Sequence, residues 1–162
     1  MISNKAKYAY RALIAIAAAA PQGKALTSGE IAARHCIPHK FLEQILVELK
    51  KAGILSSRRG KHGGYVMLRP ADTISFGEVL RLFEGPLAPL PCLSRLSYRK
   101  CEDCVVESKC EIRREFARAY DAYRLALDTR TIADAVENTA PAAPPAPAPA
   151  VRAARPRKRV AS

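Results

Sequence analysis

TSGEIAARHCIPHKFLEQILVELKKAGILSSRRGKHGGYVMLR, residues 27–69, carries two helix signals and one hairpin signal in close succession. Thr27 or Ser28 can cap a helix, and Glu30, three residues after Thr27, completes a capping box. A short helix is therefore predicted over residues 27–35. Cys36 reads as a small core residue, and Ile37 leads into Pro38, which suits the first turn of a helix. Over residues 38–52, Phe41, Leu42, Ile45, Leu46 and Leu49 recur at helical spacing and form one apolar stripe. His39, Lys40, Glu43, Gln44, Lys50 and Lys51 fall elsewhere on that helix, and Gly53 stops it. ILSS and YVML are strand-like and flank the basic, glycine-rich RRGKHGG, so residues 54–69 read as a hairpin.

Outward from this stretch the pattern stays helical. Residues 5–20 are alanine-rich, with Tyr8, Leu13 and Ile16 at roughly helical spacing, and Pro21-Gln22-Gly23 ends the helix. A fourth helix is expected at Ser75–Phe83, closed by Glu84-Gly85-Pro86. Helix, short helix, helix and basic hairpin is the order of a winged helix-turn-helix. The expected fold is mainly α, with a small β-hairpin wing.

Charge follows the same division. Residues 1–70 carry 12 Lys/Arg against 3 Asp/Glu, residues 71–140 carry 10 against 12, and the last 22 residues carry 5 against none. A basic N-terminal block beside a near-neutral middle is the electrostatic footprint of nucleic-acid binding. A helix that enters the major groove needs short-reach polar groups on its outer face. Glu43 can accept from a cytosine amine and Gln44 can pair with adenine. Ser28, His39 and Lys40 stand where bases or phosphates would be reached. In the wing, Arg58, Arg59, Lys61 and His62 surround Gly60, Gly63 and Gly64. Glycines allow close backbone approach to DNA, and a wing-tip arginine favours the negative potential of a narrow minor groove. The glycines do not form a phosphate-binding P-loop. A solvated helix surface and a plain surface hairpin are the competing readings.

The second half is organised around four cysteines in 19 residues, Cys92, Cys101, Cys104 and Cys110, spaced C-x8-C-x2-C-x5-C. Residues 86–109 contain Pro86, Pro89 and Pro91 and are expected to be a loop with little regular structure. No signal peptide is evident and the longest apolar run, residues 12–20, is short of the about 20 residues a bilayer requires. The chain is expected in the cytoplasm, with no membrane partner. Thiols stay reduced there, so clustered cysteines are metal ligands or sensors more often than disulfides. Zinc sites usually show two C-x2-C knuckles, and this chain has one. Irregular spacing in a loop before a helix suits an iron–sulfur cluster, [2Fe–2S] or [4Fe–4S]. Cys110 lies at a helix start, where the dipole favours a thiolate. A metal-free thiol switch is the main alternative. A cysteine-dependent redox or metal-handling enzyme is a third, although no convincing nucleophile–base arrangement is present and an enzyme is not expected.

A long helix starts near Cys110, with Ile112, Phe116, Tyr120, Tyr123 and Leu127 on one stripe. Dimerisation through that stripe is expected, with packing on the chain's own first helix as the alternative. Thr131–Val136 adds one more turn. Residues 138–162 are rich in proline and alanine, end in a basic cluster, and are expected to be disordered.

FLEQILVELKKAGILSSRRGKHGGYVML, ISFGEVLRLFEGP and the cysteines after them together resemble the Rrf-two (Rrf2) family of bacterial transcription regulators, of the IscR and NsrR type. The resemblance spans roughly residues 1–136. It implies a winged-helix homodimer with two recognition helices in successive major grooves of a pseudo-palindromic, double-stranded operator, and repression as the expected sign. It also implies that Glu43 is a base-reading glutamate and that Arg59 and Gly60 are the wing contact. Cys92, Cys104 and Cys110 stand near the positions of cluster ligands. Cys101 and the spacing depart from the family pattern, as does the lack of a histidine just after the third ligand position. The candidate ligand set is therefore all four cysteines. The expected division is a DNA-binding domain over 1–85, a sensor loop over 86–109, a dimerisation helix over 110–137 and a tail over 138–162.

Overall fold

The computed structural model describes residues 2–60 and 62–138. Lys61 of the wing and residues 139–162 of the basic tail lie outside the described residues.

Helix α1 spans Asn4–Ala19. Its N-cap is Ser3, whose hydroxyl accepts from the Ala6 N–H. Ala6, Ala9, Ala12, Leu13 and Ile16 are buried, and the alanines let neighbouring helices come close. Helix α2 spans Ser28–His35 and opens with the expected Thr27/Glu30 capping box. Hydrogen bonds from the Thr27 backbone and hydroxyl hold the Glu30 carboxyl below its usual range. Helix α3 spans His39–Lys51. Leu42, Ile45, Leu46 and Leu49 are fully buried, each worth on the order of 1.5–3 kcal/mol.

Cys36 corrects an expectation. It is exposed rather than a core residue. It caps α2 in the left-handed region at φ 51°, and Ile37 beside it takes the buried place. The sharp turn between α2 and α3 turns one of these two side chains out, and the larger apolar one goes in.

Strands β1 (Leu55–Arg58) and β2 (Gly64–Met67) pair antiparallel, with Leu55 opposite Met67 and Arg58 opposite Gly64. The wing is pinned to the base of α2: the Tyr65 N–H donates to Leu26 O at 2.8 Å, and the Leu26 N–H donates to Tyr65 O at 3.1 Å. The Lys50 ammonium also donates to the Ser57 hydroxyl at 2.9 Å, tying the end of α3 to β1.

Helix α4 (Phe76–Glu84) starts from Ser75 as N-cap. Residues 86–110 are largely irregular, with short 3-10 turns at Pro91–Leu93 and Glu107–Lys109. Helix α5 spans Glu111–Thr129 and has no buried residue. It lies against α4 at a place where a Cβ on Gly77 would sit 2.0 Å from Asp128 Oδ1. Arg81 of α4 reaches that carboxylate at 2.8 Å.

Helix α6 (Ile132–Glu137) returns to the N-terminal half and packs on α1. Leu127 of α5 also packs against the core to which α1 contributes. The Ile132 N–H donates to Ile74 O at 2.9 Å and the Phe76 N–H donates to Arg130 O at 2.8 Å. Ile132 is 0% exposed within the same core as Leu13, Leu46 and Leu80. Tyr10 closes the seam: its ring stacks on Phe76 and its hydroxyl donates to Phe76 O at 2.7 Å. Among the described residues no helix is long and apolar enough to cross a membrane.

The winged helix is thus sealed by a residue more than forty positions beyond its last helix, and Ile132→Ala should lower the stability of the whole chain by about 2–5 kcal/mol. The measurement is the urea midpoint followed by helical circular dichroism. A loss of about 0.5 kcal/mol or less, the scale of a surface substitution, would show that α6 is only draped on the surface.

Candidate nucleic-acid interface and cysteine cavity

Burial of one face of α3 fixes which residues face outward. Lys40, Glu43 and Gln44 are exposed, and so is Val47 at 44%. At i, i+3, i+4 and i+7 they form one face of the helix. Val47 is absent from the sequence-based candidates, which on this helix are all polar. Its exposure on the polar face is the signal, and such a group suits the methyl of thymine.

At the start of α3, His39 stands between two partners. Its Nε2 lies 3.1 Å from Ser28 Oγ on α2, and its Nδ1 lies 3.8 Å from Glu43 Oε1 one turn on. Ser28, His39 and Glu43, three of the predicted contact residues, are therefore joined across the helix-turn-helix. The Glu43 carboxylate lies beside the imidazole, beyond hydrogen-bond distance, and stays exposed. Lys40 and Gln44 make no such contact among the described residues.

The wing tip is exposed at Arg58, Arg59, Gly60 and His62. Two glycines set its shape. Gly60 has φ 104°, and the Gly63 N–H donates to Gly60 O at 2.8 Å to close the turn. Gly64 has φ 147°, and a Cβ there would meet the Leu26 backbone at 2.6 Å. Gly64 is thus what lets β2 reach the segment before α2.

The four cysteines line one cavity of about 590 Å3 together with Val105, Ile112 and Arg113. Cys92 is buried and the other three are half-buried. The Cys104 N–H donates to Cys101 O at 3.3 Å, which makes the C-x2-C segment a turn. Cys110 caps α5, its sulfur accepting from the Arg113 N–H at 3.4 Å. Partial burial, then the neighbouring Cys92 thiol, pushes the Cys101 thiol above its ordinary range. The Nε of Arg113 is buried without a partner among the described residues. Among the described residues no three His, Cys, Asp or Glu side chains already form a metal-holding group. All four predicted ligands are brought to one cavity without being drawn onto one point.

Residues 2–138 match the family described as Rrf2, iron-dependent transcriptional regulator. The chain belongs to the Rrf2 family. An Rrf2-like HTH-type transcriptional regulator of Rhodobacter capsulatus is 44% identical over 145 residues, covering 88% of this chain and 97% of that one. Among solved structures, CymR, the global cysteine regulator of B. subtilis, superposes with a TM-score of 0.71 at 29% identity, covering 86% of this chain and 98% of the other. T. potens IscR superposes at 0.66 and 24% identity, covering 85% and 86%, and shares the fold. As an Rrf2 protein this chain is a winged-helix transcription regulator and not an enzyme.

Gly64→Ala should push β2 off Leu26 and cost about 1–3 kcal/mol through a strained backbone. Thermal unfolding checks this, with Gly29→Ala, where a Cβ meets nothing closer than 3.9 Å, as the control. Equal midpoints for the two variants would mean that the Leu26–Tyr65 bridge does not hold the wing.

Proposed function

We propose that the chain binds double-stranded operator DNA as a homodimer, and that its four cysteines set the affinity in response to iron–sulfur or redox status, including nitric oxide. The observation that carries the DNA reading is the exposed face of α3, with Lys40, Glu43, Gln44 and Val47 presented because the opposite face is locked in the core. In the major groove, Glu43 accepts from a cytosine amine and Gln44 bonds adenine, while Lys40 and His39 lie by the phosphates. Arg58 and Arg59 at the wing tip reach the adjacent minor groove. Repression follows where the operator overlaps a promoter.

Dimerisation is supported by α5. Ile112, Phe116 and Tyr123, at i, i+4 and i+11, point to one side and stay 63%, 47% and 45% exposed. A large apolar stripe on a helix without one buried residue calls for a second surface.

The donor set suits an iron–sulfur cluster. Four soft thiol ligands surround one cavity, and the orphaned guanidinium nitrogen of Arg113 beside them would face the negative charge of a thiolate-held centre. Cys92, Cys101, Cys104 and Cys110 would hold it, and it would supply a centre reactive to oxidants and nitric oxide. The residues that hold it also span the path from the end of α4 to the N-cap of α5. Drawing the sulfurs together or releasing them changes where α5 starts relative to α4, and so how two recognition helices are spaced. Each 1.4 kcal/mol of such coupling is about tenfold in operator affinity.

A metal-free thiol switch is the second reading, favoured by Cys92 and Cys101 lining the same cavity. An external oxidant taking two electrons from that pair, with release of two protons, would lock the loop as a disulfide.

On DNA, Glu43→Ala should cost about 1–3 kcal/mol of discrimination at one base pair while nonspecific binding persists. Arg59→Ala should instead weaken binding across sequences and reduce the salt slope by about 1 per protomer. Unchanged operator preference in the first, or an identical slope in the second, removes that residue from the interface.

Protein purified without oxygen should show visible sulfide-to-iron charge-transfer absorbance with matching iron and sulfide, lost in Cys92→Ser or Cys110→Ser. Colourless, iron-free protein whose operator binding responds to a thiol oxidant would replace the cluster with the thiol switch.

A further inference from the structure

A second cleft, of about 200 Å3, lies between α4, the segment after it and α5. None of the four cysteines lines it. Its polar wall holds Arg81, Arg95, Arg124, Asp128 and Ser94, and Leu87 contributes to the apolar side.

Three guanidinium groups face one carboxylate, an excess of two positive charges. Asp128 is already shared, taking Arg81 at 2.8 Å and Arg124 at 3.6 Å. The Nε of Arg124 is buried and has no acceptor among the described residues, a costly state for a charged donor. Arg95 makes no ion pair among the described residues. An arginine fork matches the paired oxygens of a carboxylate or a phosphate. The apolar side tolerates a short carbon skeleton. The volume is below the roughly 300–1,000 Å3 of sites for drug-sized ligands.

We infer that this cleft binds a small anion, a carboxylate or phosphate of metabolite size, with Arg95 and Arg124 as its contacts and Arg81 held by Asp128 behind them. The ligand would offset the excess charge of the cleft. It would touch α4, the start of the cysteine-bearing segment and α5 at once. The inference does not depend on what the cysteines hold.

The test is calorimetric titration of the full chain with succinate and, separately, with inorganic phosphate, at matched ionic strength. Saturable binding of one anion per chain is expected, with a Kd of about 1 mM or tighter, and the anion that saturates identifies the chemistry. Arg124→Gln and Arg95→Gln should each weaken it about tenfold or more. Arg124 also supports Asp128, so Arg95→Gln is the variant with no ion pair to lose. Arg118→Gln, on the same helix with an 81% exposed side chain, should bind as the parent does. The inference fails if neither anion saturates, if Arg95→Gln binds with parental affinity, or if Arg118→Gln loses as much as Arg95→Gln.

Discussion

The burial of Leu42, Ile45, Leu46 and Leu49 against α1 is the contact from which the rest of the molecule takes its orientation. A helix has one rotation about its axis that buries all four, and in that rotation Lys40, Glu43, Gln44 and Val47 have nowhere to go but outward. The same seam runs on without a break through Ile54 and Leu55, both 1% exposed, into the first strand of the wing. Recognition helix and wing are therefore positioned by one continuous apolar ridge. The alanines of α1 are part of this arrangement. Larger residues at positions 6, 9 and 12 would hold α3 further out, and the ridge would lose its floor.

The other half of the molecule obeys different physics. Helix α5 has no buried residue, and its attachment to α4 runs through charge as well as shape: Gly77 leaves room for Asp128, and Asp128 gathers Arg81 and Arg124. The segment between α4 and α5 is short of regular structure and rich in polar side chains. Such a segment is held by few apolar contacts and opens at lower cost than the core. The winged helix is thus joined through a cysteine-bearing connection of little regular structure to a helix with an open apolar side.

Much of this was legible in the chain before the fold was known. Thr27 and Glu30, Pro38, Gly53 and Ser75 are local punctuation, and local punctuation placed every helix of the first half within about two residues. The stripe on α3 and the hairpin around RRGKHGG rest on periodicity and turn chemistry, which also act locally. What escaped was whatever depends on distant partners. Cys36 reads as core because cysteine is usually buried, and the left-handed turn that exposes it is a property of how α2 meets α3. The link from Ser28 to His39 to Glu43 joins two helices, and no spacing rule shows it. Val47 is apolar, and its outward place follows only from the burial of the opposite face of α3. The sharing of Asp128 between Arg81 and Arg124, 47 and 4 residues away in sequence, needs the α4–α5 packing first.

The placement of Ile132 in the core has a consequence for how the protein comes into being. A ribosome delivers the chain from its N-terminus at about 5–20 residues per second, so Ile74 and Leu80 wait several seconds for the residue that covers them. During that interval the nascent reading head has an unsealed flank and is a natural client for a chaperone. The last piece to arrive comes after α5, so completion of the DNA-binding half and presentation of the helix with the open apolar side occur at the same moment. A chain that stops before Ile132 carries the exposed face of α3 on a core that lacks one of its fully buried side chains.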